Sequence, residues 1–358
     1  MITSLEFNNF RGFKDFKISP AKSINLIAGA NNTGKTGILE GLLLLCTSRE
    51  RVSEDVADLP GRFRSNVYGK NSGFSGAQTD DFFTFWQALF YDKDLELAPC
   101  IAARVNHRAD IAGCVLLGDK SGDIIWIKHF PPNMHGVPEN PAKEMQVPPA
   151  IIIRKDQLAQ VGPAQTSNQF AMKCIVISTR MEDTIKDSET FNQVSILGGA
   201  EEKLVALLRE VDPRLEKLRY VKAPGTHQPL VYAHFGLKNA LSITQTGQGF
   251  SKLFSIFCQM LVSKAKVLLI DEIENGLYFE SLPVIWKGLC TLARSEGIQI
   301  FATTHSRECI VAAHETFKDT PDYDFALHRL QRVKGRIEAV THDRGMLEVA
   351  IKSGMEVR

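Results

Sequence analysis

One octapeptide near the N-terminus constrains this chain more than any other feature: Gly29-Ala30-Asn31-Asn32-Thr33-Gly34-Lys35-Thr36. It matches G-x-x-x-x-G-K-[ST], a pattern in which the glycines allow backbone N–H groups to face phosphate oxygens. An apolar run over 24–28 precedes it, and a leucine-rich run over 37–45 follows it. The order of strand, glycine-rich turn and helix places a helix N-terminus against an anion. The sequence therefore predicts a site for nucleotide phosphates.

The residue types in this turn predict how the phosphates would be held. The ammonium group of Lys35 would reach the β- and γ-phosphates, and the Thr36 hydroxyl would ligate Mg²⁺. The alternative is a glycine-rich turn that only starts a helix. The remaining nucleotide-binding positions are Gly29, Asn31, Asn32, Thr33 and Gly34.

Composition limits the other functions open to the chain. Of its 358 residues, 44% are hydrophobic and 23% are charged, which is ordinary for a globular protein of one or two domains. The net charge of +1 gives no overall basic field, so nucleic-acid binding would require a local patch. The seven cysteines are scattered without a C-x-x-C pair, which favours reduced thiols over a disulfide frame or a zinc site. Without an apolar run of membrane length or a signal core, we expect a cytoplasmic protein with no membrane partner.

The first nineteen residues alternate apolar and polar side chains, which predicts two antiparallel strands joined by a turn at 9–14. Arg11 lies in that turn. It would contact nucleotide if the hairpin covers the phosphate-binding turn, and it would be a solvated turn arginine if the hairpin does not.

The middle of the chain predicts a β-rich insert followed by helices. We expect a polar loop over 47–78, an aromatic helix over 79–91 and three β-rich runs over 95–128. Six prolines over 129–149 predict a linker or an extended loop. The remaining expectations are strands over 150–154, 173–178 and 229–235, and a helix over 182–211 interrupted at Gly198-Gly199.

A cluster of basic residues follows that helix. Such a cluster forms either a patch that binds nucleic-acid phosphates or, as charge runs usually do, a solvated face. Its members are Arg209, Arg214, Lys217, Arg219 and Lys222.

A second strong pattern is Lys266-Val267-Leu268-Leu269-Ile270-Asp271-Glu272. Its apolar residues predict a buried strand, and two carboxylates follow the C-terminal end, where ligands bind in open α/β sheets. Asp271 would hold Mg²⁺ through water, and Glu272 would polarise the attacking water as general base. The alternative is a pair of surface acids that end a strand.

A third apolar strand, over 300–304, leads to His305. This histidine would lie at the same edge of the sheet and hydrogen-bond to a γ-phosphate, in a catalytic role shared with Lys35 and Glu272. A structural histidine at a strand end is the alternative.

A second glycine-rich turn precedes an apolar helix over 253–262. Because one phosphate-binding turn is already present, a second anion-binding helix start predicts docking on the nucleotide of a partner subunit. A plain helix cap is the alternative. The residues of this turn are Gly247, Gln248, Gly249 and Ser251.

Together these stretches resemble the ABC-type ATPases, in the branch that holds SMC proteins, RecF-like repair ATPases and OLD-family phage-defence ATPases. The resemblance spans residues 5–306, and the DEIENGL and TTHS stretches are similar to the OLD family. The residues that carry it are Phe10-Arg11-Gly12, GANNTGKT, TGQGFSKL in place of the usual LSGGQ signature, LLIDEIENGL and TTHS.

The resemblance implies an α/β fold with an ABC-type P-loop ATPase core, an N-terminal antiparallel β-layer and an inserted β-rich and helical subdomain. The expected boundaries are 1–91 for the first part of the core, 92–235 for the insert and 236–358 for the second part of the core. It also implies ATP and Mg²⁺ as ligands and a homodimer or higher homo-oligomer closed around nucleotide.

In such a dimer the second glycine-rich turn would contact the ATP of the opposite subunit as a trans signature. Asn275 and Gly276 would form a D-loop between the two sites, and Gln87 is the candidate for the Q-loop residue. OLD-family proteins often continue into a metal-dependent nuclease. Here Asp322-Tyr323-Asp324 has D-x-D spacing, but the tail is short, and we expect no nuclease in this chain.

The function favoured by these observations is ATP hydrolysis that regulates a separate effector, a nuclease in antiviral defence by resemblance. The alternative is a RecF/SMC-like DNA-binding repair ATPase that contacts nucleic acid through the basic cluster at 209–222. A GTPase is disfavoured because the sequence has no N-K-x-D or T-K-x-D motif.

Overall fold

A computed structural model of the chain describes residues 1–46, 84–105, 111–119, 123–129, 149, 151–154, 157–161, 172–177, 184–222, 228–320 and 322–358. The expected polar loop over 47–78, the start of the aromatic helix and most of the proline-rich segment lie outside these residues.

Strands form where apolar residues alternate with polar ones or run continuously for a few residues, and helices form where apolar residues recur about every 3.6 residues. The strands are β1 (Ile2–Phe10), β2 (Phe13–Ile18), β3 (Ile24–Gly29), β4 (Cys100–Val105), β5 (Ile111–Gly118), β6 (Ile124–His129), β7 (Ile151–Arg154), β8 (Gln157–Val161), β9 (Cys174–Ile177), β10 (Lys217–Val221), β11 (Leu230–His234), β12 (Leu241–Ser242), β13 (Val267–Ile270), β14 (Gln299–Thr304), β15 (Phe325–Val333) and β16 (Arg336–His342). The helices are α1 (Lys35–Cys46), α2 (Thr184–Ser195), α3 (Ala200–Val211), α4 (Gln248–Val262), α5 (Leu282–Glu296), α6 (Arg307–Phe317) and α7 (Arg344–Lys352).

The first sheet is antiparallel, in the order β2-β1-β4-β5-β6-β7-β8. It contains the predicted N-terminal hairpin and the three β-rich runs. Because β4 pairs with β1, the strands on both sides of the boundary expected at residue 92 share one sheet. One face of the hairpin is a cluster of Phe7, Phe10, Phe13 and Phe16, whose ring centroids lie 4.4–5.9 Å apart.

The second sheet has the order β16-β15-β3-β14-β13-β9. All neighbours from β15 to β9 are parallel, and only β16 is antiparallel. The three central strands are buried along their whole length, as the continuous apolar runs predicted. Near the end of the chain β15 and β16 form an antiparallel pair, and β15 extends this sheet beside β3.

Helix α1 lies between the two sheets. Its residues from Gly37 to Cys46 are buried, so it has no polar face. The leucines of α1 pack with the phenylalanine cluster of the first sheet and with Leu269 and Phe301 of the second. The opposite face of the second sheet is covered by α4, α5, α6 and α7.

Gln299 links the two sheets at their N-terminal edge. Its side-chain amide accepts the Ile2 N–H at 2.8 Å and donates to the carbonyls of Ile2 at 2.8 Å and Lys22 at 2.7 Å. Gln299 is only 3% exposed, so each of these bonds satisfies a buried polar group.

The helical segment before β4 ends earlier than predicted. The sequence predicts a helix over 79–91, whereas the described part is helical only over 84–87. The reason is tertiary: Phe90 forms an antiparallel bridge with Phe10, and the Leu89 carbonyl accepts the Arg11 N–H at 2.7 Å. A 3₁₀ turn then covers Tyr91–Lys93.

Two helices and a small three-stranded sheet, β10-β11-β12, precede α4. The predicted interruption of the helix over 182–211 is confirmed, because α2 ends at Ser195 and α3 begins at Ala200 after Gly199, whose φ is +76°. Within the described residues, no helix combines the length and the apolar character needed to span a membrane.

Gly41 sets how closely α1 approaches the first sheet. A Cβ atom at this position would lie 2.3 Å from Cε1 of the buried Phe7 ring. We expect Gly41→Ala to lower the free energy of unfolding by about 1–2 kcal/mol, because an overpacking cost of about 1–3 kcal/mol exceeds the gain in helix propensity. Urea denaturation measures this difference.

Gly198→Ala is the matched control, since a Cβ at Gly198 meets nothing within 4 Å. Its free energy of unfolding should stay within about 0.5 kcal/mol of the unmodified chain. Equal stability of the two variants would contradict the packing of α1 described above.

Candidate active site

The carboxyl ends of β3, β13 and β14 meet at one edge of the second sheet. β14 lies between the other two strands, with Ala302 opposite Ile270 and Thr304 opposite Ala28. The phosphate-binding turn follows β3, the two acids follow β13, and His305 follows β14. The structure therefore brings the three predicted motifs together from positions far apart in the chain.

The phosphate-binding turn requires glycine at both of its ends. Gly29 has a φ of +153°, and a Cβ there would lie 2.8 Å from the Leu330 carbonyl oxygen of β15. Gly34 has a φ of +87°, and a Cβ there would lie 2.6 Å from the Phe13 ring. Asn32 also has positive φ, at +60°. The turn thus packs tightly against both sheets, and α1 begins directly after it.

The Lys35 ammonium folds back over this turn. Its Nζ donates to the carbonyls of Gly29 at 2.7 Å and Ala30 at 2.8 Å. Burial lowers the pKa of Lys35 to about 8, against the opposing effect of Asp271, Glu272 and Glu274. A phosphate group beside Nζ would supply the negative charge that favours the ammonium form.

Thr36 and Asp271 lie close enough to share a cation. The Thr36 hydroxyl lies 3.4 Å from Oδ1 of Asp271, and the Thr303 hydroxyl donates to the same oxygen at 2.7 Å. Burial raises the pKa of the Asp271 carboxyl, and the hydrogen bonds from Thr303 and Thr36 lower it. A buried carboxylate beside a hydroxyl is a donor set that suits Mg²⁺.

The donor set also fits an ion bound mostly by water and phosphate. Among the residues that the structure describes, no group of three or more His, Cys, Asp or Glu side chains is arranged to hold a metal. Mg²⁺ usually takes one or two protein ligands and completes its shell with water and substrate phosphates. Thr36 and Asp271 match that requirement.

Glu272, directly after Asp271, has a left-handed backbone conformation with a φ of +44°. Its N–H donates to the Thr303 hydroxyl at 2.8 Å. The Glu272 side chain is 41% exposed, and its Oε1 lies 3.9 Å from Nε2 of His305. The carboxylate and the imidazole are therefore near enough to act on one water molecule or phosphate oxygen.

Two residues of this site are not predicted from the sequence. Thr303 bridges the Asp271 carboxylate and the Glu272 N–H, and Glu274 accepts the His305 N–H at 2.7 Å through Oε1. The signals in the sequence are a threonine near the end of a largely apolar strand and a third acid in the stretch DEIEN. Neither signal has a meaning until β13 and β14 are known to be neighbours.

The second glycine-rich turn and the expected D-loop form one surface. Gly247, with a φ of +90°, immediately precedes α4, and both Gly247 and Gln248 are exposed. A Cβ at Gly249 would lie 3.2 Å from the Gly276 carbonyl oxygen, so the two segments are in close contact. Asn275 and Gly276 are exposed beside them.

Arg11 is held against α1. Its Nε donates to the buried Glu40 carboxylate at 2.8 Å, and a second guanidinium nitrogen donates to the Ala88 carbonyl at 3.1 Å. The guanidinium carbon lies 4.8 Å from the centre of the Phe85 ring. These contacts occupy Arg11 within its own subunit, and its contact with nucleotide stays a prediction. Gln87, at the end of the helical segment over 84–87, likewise stays a prediction as the Q-loop residue.

The basic cluster at 209–222 is divided between structural and exposed residues. The Arg209 guanidinium donates to the carbonyls of Leu215 and Glu216, both at 2.7 Å. Arg214 pairs with Asp212 at 2.8 Å. The remaining members are Lys217 and Arg219 on the exposed side of β10, and the exposed Lys222.

Comparison with known proteins agrees with this architecture. An ATP/GTP phosphatase of Helicobacter pylori is 23% identical over 349 residues, which are 91% of this chain and 90% of that protein. Shorter matches are to the DNA replication and repair protein RecF. They are 38% identical over 74 residues in Idiomarina loihiensis and 44% identical over 48 residues in Nitrosococcus oceani. These two matches cover 19% and 13% of the RecF chains, so they concern single segments.

The fold also has a solved counterpart. The crystal structure of the SmcHead bound to the C-winged helix domain of ScpA superposes with a TM-score of 0.55 and 13% sequence identity. The superposition covers 98% of this chain and 99% of that one. At this identity the likeness concerns the fold, and it confirms the predicted α/β fold of an SMC-type P-loop ATPase.

A family description covers both halves of the site. The AAA ATPase domain family matches residues 1–95 and 150–310, which include the phosphate-binding turn, the acids after β13 and the histidine after β14. With the motifs in this order, on this fold and at one edge of its parallel sheet, the chain belongs to the AAA ATPase domain family.

Proposed function

We propose that this chain hydrolyses ATP with Mg²⁺, that two copies close around two nucleotides, and that closing and opening regulate a separate effector. The observation that carries the proposal is the convergence of five side chains at one sheet edge. The Thr36 hydroxyl lies 3.4 Å from Asp271, His305 lies 3.9 Å from Glu272, and the Lys35 ammonium donates to the Gly29 carbonyl of the phosphate-binding turn.

The turn and α1 bind the triphosphate. Backbone N–H groups of the turn and the N-terminus of α1 face the phosphates, and Lys35 exchanges its two carbonyl acceptors for phosphate oxygens. Mg²⁺ held by Thr36 and Asp271 would neutralise phosphate charge when bound. Since Asp271 is 8% exposed, its charge is only weakly screened by water.

Glu272 and His305 act on the attacking water and the γ-phosphate. The Glu272 carboxylate orients the water and accepts its proton as the oxygen approaches phosphorus. The imidazole of His305 donates a hydrogen bond to a γ-phosphate oxygen, where negative charge is held in the transition state. Glu274 fixes the backbone of His305, so the histidine does not have to be ordered during the reaction.

The exposed second glycine-rich turn supports a dimer. It stands at the N-terminus of the fifteen-residue helix α4, where backbone N–H groups and the helix dipole favour an anion. The phosphates of a nucleotide bound by the same subunit are already accommodated by the turn at Gly29–Thr36. A second anion-binding turn that faces solvent is therefore best explained as the trans signature, which binds the nucleotide of a second copy. Asn275 and Gly276 would then lie between the two sites.

The proposed effector is a separate protein, a nuclease by the OLD-family resemblance. An apolar surface near the end of the chain supports a protein partner: Met346, Val349 and Met355 are 49–59% exposed. Single exposed apolar residues are ordinary, but Met346 and Val349 are three residues apart on α7 and so share one exposed side of that helix. ATP-dependent closure would change how such a partner is held.

The alternative is a RecF-like DNA-binding ATPase, which the RecF matches favour. In that case Lys217, Arg219 and Lys222 would contact DNA phosphates.

Glu272→Gln separates binding from hydrolysis. The amide keeps the size of the side chain but cannot accept the proton of the attacking water, so we expect hydrolysis to fall by about 10²–10⁴-fold. ATP binding should persist, and the variant should accumulate as an ATP-bound dimer. Phosphate release and light scattering after size exclusion measure these two properties.

Glu338→Gln is the control, because Glu338 is exposed on β16 and should leave the turnover number unchanged. A Glu272→Gln protein that hydrolyses ATP at the rate of the unmodified chain removes Glu272 from the role of base.

Mixing two inactive variants tests the composite site. Lys35→Ala removes the phosphate-binding ammonium. Gln248→Asp places a negative charge where the partner's phosphate would dock, at a helix N-terminus that tolerates Asp. Each variant alone should be inactive. An equal mixture should regain about one quarter of full activity, because half of the dimers pair the two variants and each of those has one intact site.

Gln248→Asn is the control, as it changes the side chain without adding charge and should keep most activity. The trans arrangement is refuted if the mixture stays inactive while fluorescence energy transfer shows that subunits exchange.

One DNA-binding measurement separates the effector proposal from the alternative. The purified chain with Mg²⁺ and ATP should neither cut plasmid DNA nor bind it with strong salt dependence. A RecF-like protein would instead lose affinity with salt, with a slope of about −0.9 per phosphate contacted, and a Lys217→Gln/Arg219→Gln variant would have a shallower slope. That result would favour the alternative.

A further inference from the structure

Lys252 connects the second glycine-rich turn to the turn that carries the base. It is in the first part of α4, directly after Ser251. Its Nζ donates to three backbone carbonyls: Glu272 at 3.2 Å, Ile273 at 3.0 Å and Asn275 at 2.9 Å. An ammonium group has three donors, so all of them are used on this one turn.

The backbone to which Lys252 donates these hydrogen bonds is strained at Glu272. Glu272 is a non-glycine residue in the left-handed region, a conformation that is unfavourable for residues with a Cβ and persists only where the surroundings hold it. Two side chains provide that restraint. Thr303 accepts the Glu272 N–H at 2.8 Å, and Lys252 donates to the Glu272 carbonyl.

The two restraints come from different parts of the site. Thr303 is fully buried in β14 and also donates to Asp271, so it belongs to the metal side of the same subunit. Lys252 belongs to the helix whose N-terminus is the proposed dock for the partner's nucleotide. The direction of the Glu272 carboxylate therefore depends on the position of α4.

We infer that Lys252 is a positioning residue that aligns the Glu272 carboxylate for hydrolysis and makes this alignment depend on the partner's nucleotide. This inference rests on the proposed function. When nucleotide of the second copy docks at Gly247–Ser251, the first turn of α4 is fixed, and Lys252 fixes the Glu272 carbonyl in turn. Without that nucleotide, the first turn of α4 can shift and the base loses its alignment.

The chemistry of Lys252 agrees with a specific task. Burial lowers its pKa to about 8, while Glu274, Cys309, Glu272 and Asp271 oppose that effect. The neighbours of Lys252 on the core side of α4 are apolar: Phe250, Leu253 and Phe254 are all buried. A methionine would fit the same stem and avoid the desolvation of a charge, so packing alone does not require lysine here.

The test compares Lys252→Met and Lys252→Arg in the full chain. Lys252→Met should lower kcat by about 10²-fold, the effect of misplacing a catalytic group by about an ångström. Its dissociation constant for ATP and its melting temperature should change little. Lys252→Arg retains donors for the three carbonyls and should recover at least a tenth of the lost rate. Lys287→Met is the matched control, because Lys287 is an exposed lysine of α5 that pairs with Glu210.

A double-mutant cycle shows whether Lys252 acts through Glu272. Once Glu272 is glutamine, its alignment no longer matters, so Lys252→Met should not slow the residual rate of Glu272→Gln further. Losses that multiply in the double variant would overturn the inference. If Lys252→Met does not fold, Lys252→Gln carries the same comparison, since it retains a donor but no charge.

The outcomes distinguish this inference from the proposed function. A chain that hydrolyses ATP, loses hydrolysis on Glu272→Gln and keeps full kcat on Lys252→Met would retain the proposed function and refute the role of Lys252. A chain with no ATP hydrolysis would refute both. An unchanged kcat with weakened ATP binding in Lys252→Met would also refute the positioning role.

Discussion

Parallel pairing of β14 between β3 and β13 is the constraint on which the site depends. More than two hundred residues of chain separate β3 from β13 and β14, yet the register of the three strands puts Gly29, Asp271 and His305 at one edge. The strands are buried along their whole length, so the edge is the first place where polar groups can reach solvent. Thr303 is one of the buried polar residues inside the sheet, and its hydroxyl is satisfied there by Asp271 and Glu272.

The stability of the fold is coupled to the phosphate-binding turn through α1. Because this helix is buried on all sides, its position is set by packing against the phenylalanines of the first sheet and the apolar face of the second. Even its one acid, Glu40, is fully buried and is neutralised by Arg11. The N-terminus of α1 is therefore fixed before any ligand arrives, which is the preorganisation that phosphate binding requires.

The sequence predicted the parts of the site that short patterns encode. The glycines of the phosphate-binding turn, the acids after a four-residue apolar strand and His305 are all local features, and the structure places them together. Pairing between distant strands is not local, so the junction of β1 with β4 was not foreseen, nor were the roles of Thr303 and Glu274. The end of the helix over 79–91 was predicted too late because the bridge of Phe90 to Phe10 overrides helix propensity. A lone glutamate in a leucine-rich helix was a readable signal that Glu40 needs a buried cation.

The turn after β13 carries both the proposed base and the proposed contact surface for a second copy. Asn275 donates its N–H to the Glu272 carbonyl at 3.0 Å, Leu277 donates to Glu274 at 3.0 Å, and Ile273 donates to Thr303 at 3.0 Å. With these bonds the exposed Asn275 and Gly276 cannot move without moving Glu272. The surface proposed to contact a second copy and the proposed base then lie in one turn. Any partner that stabilises one geometry of this turn also selects the geometry of the base, because a packed and fully bonded turn shifts as a whole and does not deform gradually.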